Sequence, residues 1–376
     1  MTTALRSLRR HSSLVAPFVA ALAIACASSP GADPAPQPEA AGQGVTGTPD
    51  QPWPVKTRYV ADLWLHGYAM LLQDTSRIPL FARGYRDRMV VRKNQSNITT
   101  MLDANREQLA RRLETTAALQ NSQFLSLYFG TWDQLKDAIA LFQRAEGEPR
   151  RASNQQSAQL IAFLAANFPT AADREWLRLF TVSLEDEGEK FYQSYWTQTQ
   201  RERSAVVTAV DSLWQRVYRP RFQGYLNNSR QAGGDFYLSL PLDGEGRTVR
   251  QSERTNVVAV AFPERADSAV TAIYVFAHEV SGEVTSLAVR DNLTPAEVRM
   301  GAGTKLEAAA LVRGGEMLLA RLAPELAEGY ARYYLRSAGL DASASDPRAA
   351  LAAAFPLPDT IRDAIERQIE ITMGGI

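Results

Sequence analysis

His278 and Glu279 are adjacent in a chain that holds only three histidines and one cysteine. An imidazole can bind a cation or carry a proton near neutral pH, and a neighbouring carboxylate can act as a general base. The run around them has apolar positions Val270, Ile273, Tyr274, Ala277, Val280, Val284 and Leu287, which is the period of a helix. On a helix, positions i and i+4 are about 40° apart, so two imidazoles with that spacing can share one metal ion. The position four residues after His278 is Gly282, while Glu283 at i+5 points about 140° away from the imidazole. Ser281 lies on a nearer face but is a poor metal ligand. Glycine inside a helix costs about 1 kcal/mol relative to alanine. Gly282 therefore implies either the close approach of another backbone or room for a ligand beside His278.

The order of segments here resembles that of zincin-like metallopeptidases, of the gluzincin kind. In those a strand precedes a helix bearing His-Glu-x-x-His, and a later helix supplies a glutamate as third zinc ligand. The resemblance covers about residues 235–335 and rests on His278-Glu279 after the strand candidate Val257–Phe262. It implies His278 as a zinc ligand, Glu279 as the base acting on zinc-bound water, and Glu307 as the later glutamate. Glu316 is an alternative for that glutamate, and Tyr330, Tyr333 or Tyr334 is a candidate phenol for polarising a carbonyl. The pattern departs from the family at Gly282, where the second histidine should stand.

Three readings follow: a histidine hydrogen-bonded inside a helical core, a zincin-like domain that has lost its metal, and a working peptidase with non-standard ligands. They separate on one structural expectation, that His278 and Glu279 open into a cleft beneath the Val257–Phe262 strand. His66 lies on an amphipathic segment, Asp62 to Tyr68, and is read as a core or boundary histidine; the rival is that it reaches His278.

Other chemistries find little support. A single cysteine rules out an internal disulfide, cysteine-ligated zinc and iron–sulfur clusters. No glycine-rich phosphate loop, Gly-x-Ser-x-Gly elbow or Ser/Thr-x-x-Lys site stands out, so no nucleotide partner is expected. Lys+Arg and Asp+Glu both number 41, so there is no general electrostatic attraction to nucleic acid. Only five of the basic residues are lysines, a bias typical of a GC-rich bacterial genome.

The elements that must position these groups are mostly helices. From Thr57 to about Gln231 apolar residues recur every three or four positions, as in Phe124, Leu125, Tyr128, Trp132, Leu135, Ile139 and Phe142. Residues 97–119 read as a surface helix with Leu102, Leu109 and Leu113 inward. A long helical stretch from Asp173 to about Tyr218 is expected to break near Gly188, with Glu185 to Glu189 on a solvated face. After Gly233-Gly234, residues 235–241 and 257–262 read as two strands, with turn residues at Asp243 to Gly246. Helices resume at Ser268. The expected fold is mainly α with a small β-sheet, divided into a helical domain at 55–231 and a sheet-plus-helix domain at 232–376.

The N-terminus reads as an export signal at 1–25: Arg6, Arg9 and Arg10, then an apolar stretch from Leu14 to Ala25 that is too short to span a bilayer. It ends in Ala23-Ile24-Ala25-Cys26, which resembles the bacterial lipobox and implies lipid attachment at Cys26. Residues 27–54 hold seven of the nineteen prolines and almost no large apolar side chain, as expected of a mobile tether. The sorting rule usual for such lipoproteins, applied to Ala27, implies the outer membrane, facing the periplasm. Removing the signal leaves a net charge of −3, because three arginines and no acids are lost. The sequence thus reads as a membrane-anchored envelope lipoprotein with a zincin-like domain, catalytically impaired and facing a peptide or protein partner. The alternatives are an active zinc peptidase and a helical scaffold without enzymatic ancestry.

Overall fold

The computed structural model describes residues 43–46, 52–251 and 255–374. The segment expected to be an export signal, residues 1–25, and Cys26 lie outside them. The chain is mainly α-helical, with one mixed sheet of five short strands in the order β1-β2-β3-β5-β4. These are β1 Gln43–Thr46, β2 Val55–Arg58, β3 Gly233–Ser239, β4 Arg247–Arg250 and β5 Thr255–Ala261. β2, β3 and β5 run parallel, while β1 and β4 lie antiparallel at the two edges. In β5, Asn256 to Val260 are all buried, the continuous pattern of a strand covered on both faces.

Both expected strands form, shifted by about two residues, as parallel neighbours within the small sheet. A parallel pair needs a crossover, and here the edge strand β4 lies within it. Three further strands, β1, β2 and β4, have no counterpart in the sequence reading. β1 lies inside the segment expected to be a tether, and β2 occupies the start of the expected helical region. Trp53, also in the expected tether, is fully buried and donates its indole N–H to the Gln231 carbonyl at 3.1 Å.

One aromatic cluster joins the two ends of the chain. Phe276, on the helix Val270–Val280, packs its ring against Trp214 at 4.5 Å, Phe236 at 4.6 Å and Trp53 at 5.3 Å between centroids. These rings come from the N-terminal segment, the helical region, β3 and the candidate-site helix, so a single core fixes that helix against the sheet. His278, two residues further on, lies about 200° around the helix and so faces away from the cluster.

Among the earlier helices, Met101–Thr115 buries Leu102, Leu109 and Leu113 as expected. It starts in a capping box, in which Thr100 and Asp103 satisfy each other's backbone N–H groups. The long helical stretch does change at Gly188, where five residues adopt π-helical geometry before the helix continues. Glu187 is fully buried there, so the expected solvated face is corrected at that position. No helix of the described residues is long and apolar enough to cross a membrane.

Candidate functional site

The helix Val270–Val280 ends at Ser281, and a second helix, Gly282–Asp291, begins directly after it. Ser281 donates its hydroxyl to the His278 carbonyl at 2.8 Å. The i, i+4 relation between His278 and Gly282 therefore crosses a helix junction and does not sit inside one straight helix.

His278 is completely buried. Its ring stacks on Tyr334 with centroids 5.0 Å apart. Its Nε2 lies 3.2 Å from Glu245 Oε2 and 3.8 Å from Glu279 Oε1, while Nδ1 is buried without a hydrogen-bond partner among the described residues. Glu279 is nearly buried and accepts a 3.2 Å hydrogen bond from the Gly246 N–H. One ligand atom from each of Glu245, His278 and Glu279 can be chosen so that all lie within 4.8 Å of one another.

Glu245 enters from the turn before β4. That turn is pinned by the Tyr334 hydroxyl donating to the Gly244 carbonyl at 3.0 Å and the Glu245 N–H donating to Pro79 at 3.0 Å. Position 246 must be glycine on steric grounds, since a Cβ there would stand 2.6 Å from the Ala259 carbonyl oxygen and 2.9 Å from Glu279 Cγ. Residues 243–246 read in the sequence only as turn residues, which hid Glu245. The available signal was the glycine pair flanking an acid immediately before a sheet edge.

Burial and neighbouring charge pull these groups in different directions. Desolvation is the largest influence on Glu279; with Glu245 nearby, it overcomes His278 and Arg247 and raises the carboxyl to about 7. Burial alone would lower His278, but the Glu245 and Glu279 carboxylates carry its pKa upward.

A cleft of about 620 Å³ runs past this cluster, lined by Glu245 to Thr248, Arg250, Asn256, Glu279, Gly282, Glu283 and Glu307, among others. It lies along β4, the strand outside β5. The expected opening is only half present: Glu279 reaches the cleft wall, while the His278 ring is sealed behind it. Gly282 also faces the cleft, and a Cβ there would meet only Leu311 Cδ1, at 3.6 Å.

The structure brings His278 and Glu279 together with Glu245. Glu307, on the helix Ala302–Leu322, lines the same cleft without joining the cluster. Glu316 is buried and bonded to Arg348 at 2.6 Å. Tyr330 and Tyr334 are buried with their hydroxyls on backbone carbonyls, and none of Tyr330, Tyr333 and Tyr334 lines the cleft. His66 belongs to a different network. Its Nδ1 is 3.0 Å from the Tyr85 hydroxyl and its Nε2 is 3.0 Å from Glu187, which also takes hydrogen bonds from Lys93 and Thr100.

The donors near His278 do not reproduce the zincin ligand set, because position 282 offers no side chain and Glu307 stands outside the cluster. One imidazole and two carboxylates are present instead. In comparisons with known proteins, no family model, curated protein or solved structure matches this chain.

Proposed function

We propose that the chain is an exported bacterial lipoprotein, anchored through Cys26 to the outer membrane and facing the periplasm. Its folded part is then a zincin-like domain that holds a peptide or protein segment in its cleft and does not cleave it by the zincin route. The observation that carries this reading is the open cleft wall at Gly282, where a working enzyme of this kind needs a second imidazole.

Two features support peptide as the occupant. β4 is at the end of the strand order, so its outer edge has no strand partner among the described residues, and it runs beside the cleft. Extended peptides bind such edges by adding main-chain hydrogen bonds. The cleft wall also carries Glu245, Glu279, Glu283 and Glu307 against Arg247 and Arg250, an acidic excess that favours basic side chains on the partner.

The test is a panel of fluorescent peptides incubated with the purified protein, with and without added zinc. Binding of basic peptides without cleavage, weakened by Glu307→Lys, is the expected result. Zinc-dependent cleavage that disappears in Glu279→Gln would overturn the reading in favour of an active peptidase with non-standard ligands. No binding to any peptide would leave the helical scaffold.

A further inference from the structure

We propose that Glu245, His278 and Glu279 form an exchangeable site for one divalent transition-metal cation, with Glu245 taking the place that the zincin arrangement gives to other residues. Two donors about 2.1 Å from a tetrahedral or octahedral ion lie about 3.0–3.4 Å apart. The His278 Nε2 to Glu245 Oε2 separation is 3.2 Å, Glu279 Oε1 stands 3.8 Å from the same nitrogen, and the three ligand atoms lie within 4.8 Å of one another, so binding would draw the carboxylates inward. The three groups come from two segments that the fold holds rigidly, the pinned turn before β4 and the His278 helix.

The charge pattern is the second, independent observation. Among the buried carboxylates, Glu187 has Lys93 at 3.1 Å and Glu316 has Arg348 at 2.6 Å, while Asp62 is held by the Ser239 hydroxyl and the Trp196 indole N–H. Glu279 has one backbone N–H and an imidazole at 3.8 Å, with no lysine or arginine paired to it among the described residues. Two carboxylates converge on one imidazole here, with Arg247 acting on Glu279 only from beyond contact distance, and a cation entering past half-exposed Glu245 would be drawn to the pair.

The mixed nitrogen and oxygen donors select zinc, manganese or nickel over calcium and magnesium, which prefer all-oxygen surroundings. Metal-bound histidines ordinarily donate the other ring N–H to an acceptor, and loss of that contact lowers affinity about 10–100-fold. His278 Nδ1 has no such acceptor among the described residues, so binding is expected to be weak enough for the ion to exchange. Bound there, it would fasten the turn at 243–246 to the His278 helix and so fix the near edge of the cleft. This inference does not depend on whether the cleft takes peptide.

The test uses the untagged full chain, stripped with a chelator and titrated calorimetrically with zinc chloride and manganese chloride, alongside thermal unfolding. One ion per chain is expected, with a rise in Tm. Glu245→Gln, at a half-exposed position that tolerates change, should weaken binding at least tenfold without altering the metal-free Tm by more than a few degrees. Glu307→Gln should leave affinity within about twofold. No stoichiometric binding up to 1 mM metal would overturn the proposal. So would equal binding by the Glu245→Gln protein, or a loss in Glu307→Gln matching that in Glu245→Gln.

Discussion

Gly315 stands directly against His278: a Cβ on this glycine would lie 3.0 Å from the His278 Cα and 2.3 Å from the Tyr330 hydroxyl. Its neighbour Gly314 meets Thr285 in the same way, with a Cβ 2.2 Å from Thr285 Cγ2. The close backbone approach that Gly282 suggested therefore occurs one helix away, on the element that covers the His278 helix from outside the sheet.

The two kinds of glycine should respond oppositely to alanine. Gly315→Ala forces a methyl group into backbone and is expected to cost about 1–3 kcal/mol of stability. Gly282→Ala has ordinary van der Waals room and gains helix propensity, so it should be neutral or stabilising by up to about 1 kcal/mol. Urea unfolding of the two variants checks this. A strongly destabilised Gly282→Ala would mean the cleft wall is packed there.

Glu279 should make the protein less stable as the solution becomes alkaline. Its folded pKa of about 7 is above the ordinary 4.5, so its contribution is fully present below pH 4.5 and is lost as pH rises through 7. The loss is on the order of 3 kcal/mol. In metal-free buffer, Glu279→Gln should flatten the stability profile between pH 4.5 and 7 and raise Tm at pH 8. An unchanged slope in the variant would show that the carboxyl is ionised at little cost in the native protein.

Glu187 should do the reverse. Burial would raise its carboxyl, but hydrogen bonds and charge from His66, Lys93 and Thr100 outweigh burial and bring it to about 2. That stabilisation is present above pH 4.5 and is lost as pH falls towards 2. Glu187→Gln leaves Lys93 buried with only Asp103 as a charged partner, at a cost of about 3–5 kcal/mol at pH 7. Acid titration followed by circular dichroism reads both effects; equal acid sensitivity in variant and parent would remove Glu187 as the cause.

Membrane attachment should depend on one sulfur atom. Cys26→Ser is expected to move the protein from the detergent phase to the aqueous phase on Triton X-114 partition of expressing cells. Retention in the detergent phase would point to an anchor other than the lipid at Cys26.

The fold class was legible because most of its helices announce themselves by period, as Leu102, Leu109 and Leu113 do. β2 was not, since its four residues alternate but are too few to mark a strand and run straight into the helix Tyr59–Leu71. Nor was β1, which lies in a proline-rich stretch and pairs with β2 through Gln43 opposite Arg58 and Thr46 opposite Lys56 without a strand-like run of its own. At the site, His278 and Glu279 stood out by type, but Glu245 is 33 residues away in sequence and reaches them only through the turn before β4. The burial of Glu187 was equally hidden, because its partners His66 and Lys93 are 121 and 94 residues distant.

β2 and β3 are adjacent in the sheet yet separated by the entire helical region. The pairing of Val55 with Phe236 thus closes a loop of about 180 residues, a contact that forms late for entropic reasons. A chain crossing a membrane N-terminus first would present Trp53 and the strand after it to solvent long before their partners arrive. A fragment ending at 231 lacks the strand partner of Val55 and the Phe236 and Phe276 rings that pack on Trp214, and is expected to fall to proteases faster than the complete polypeptide.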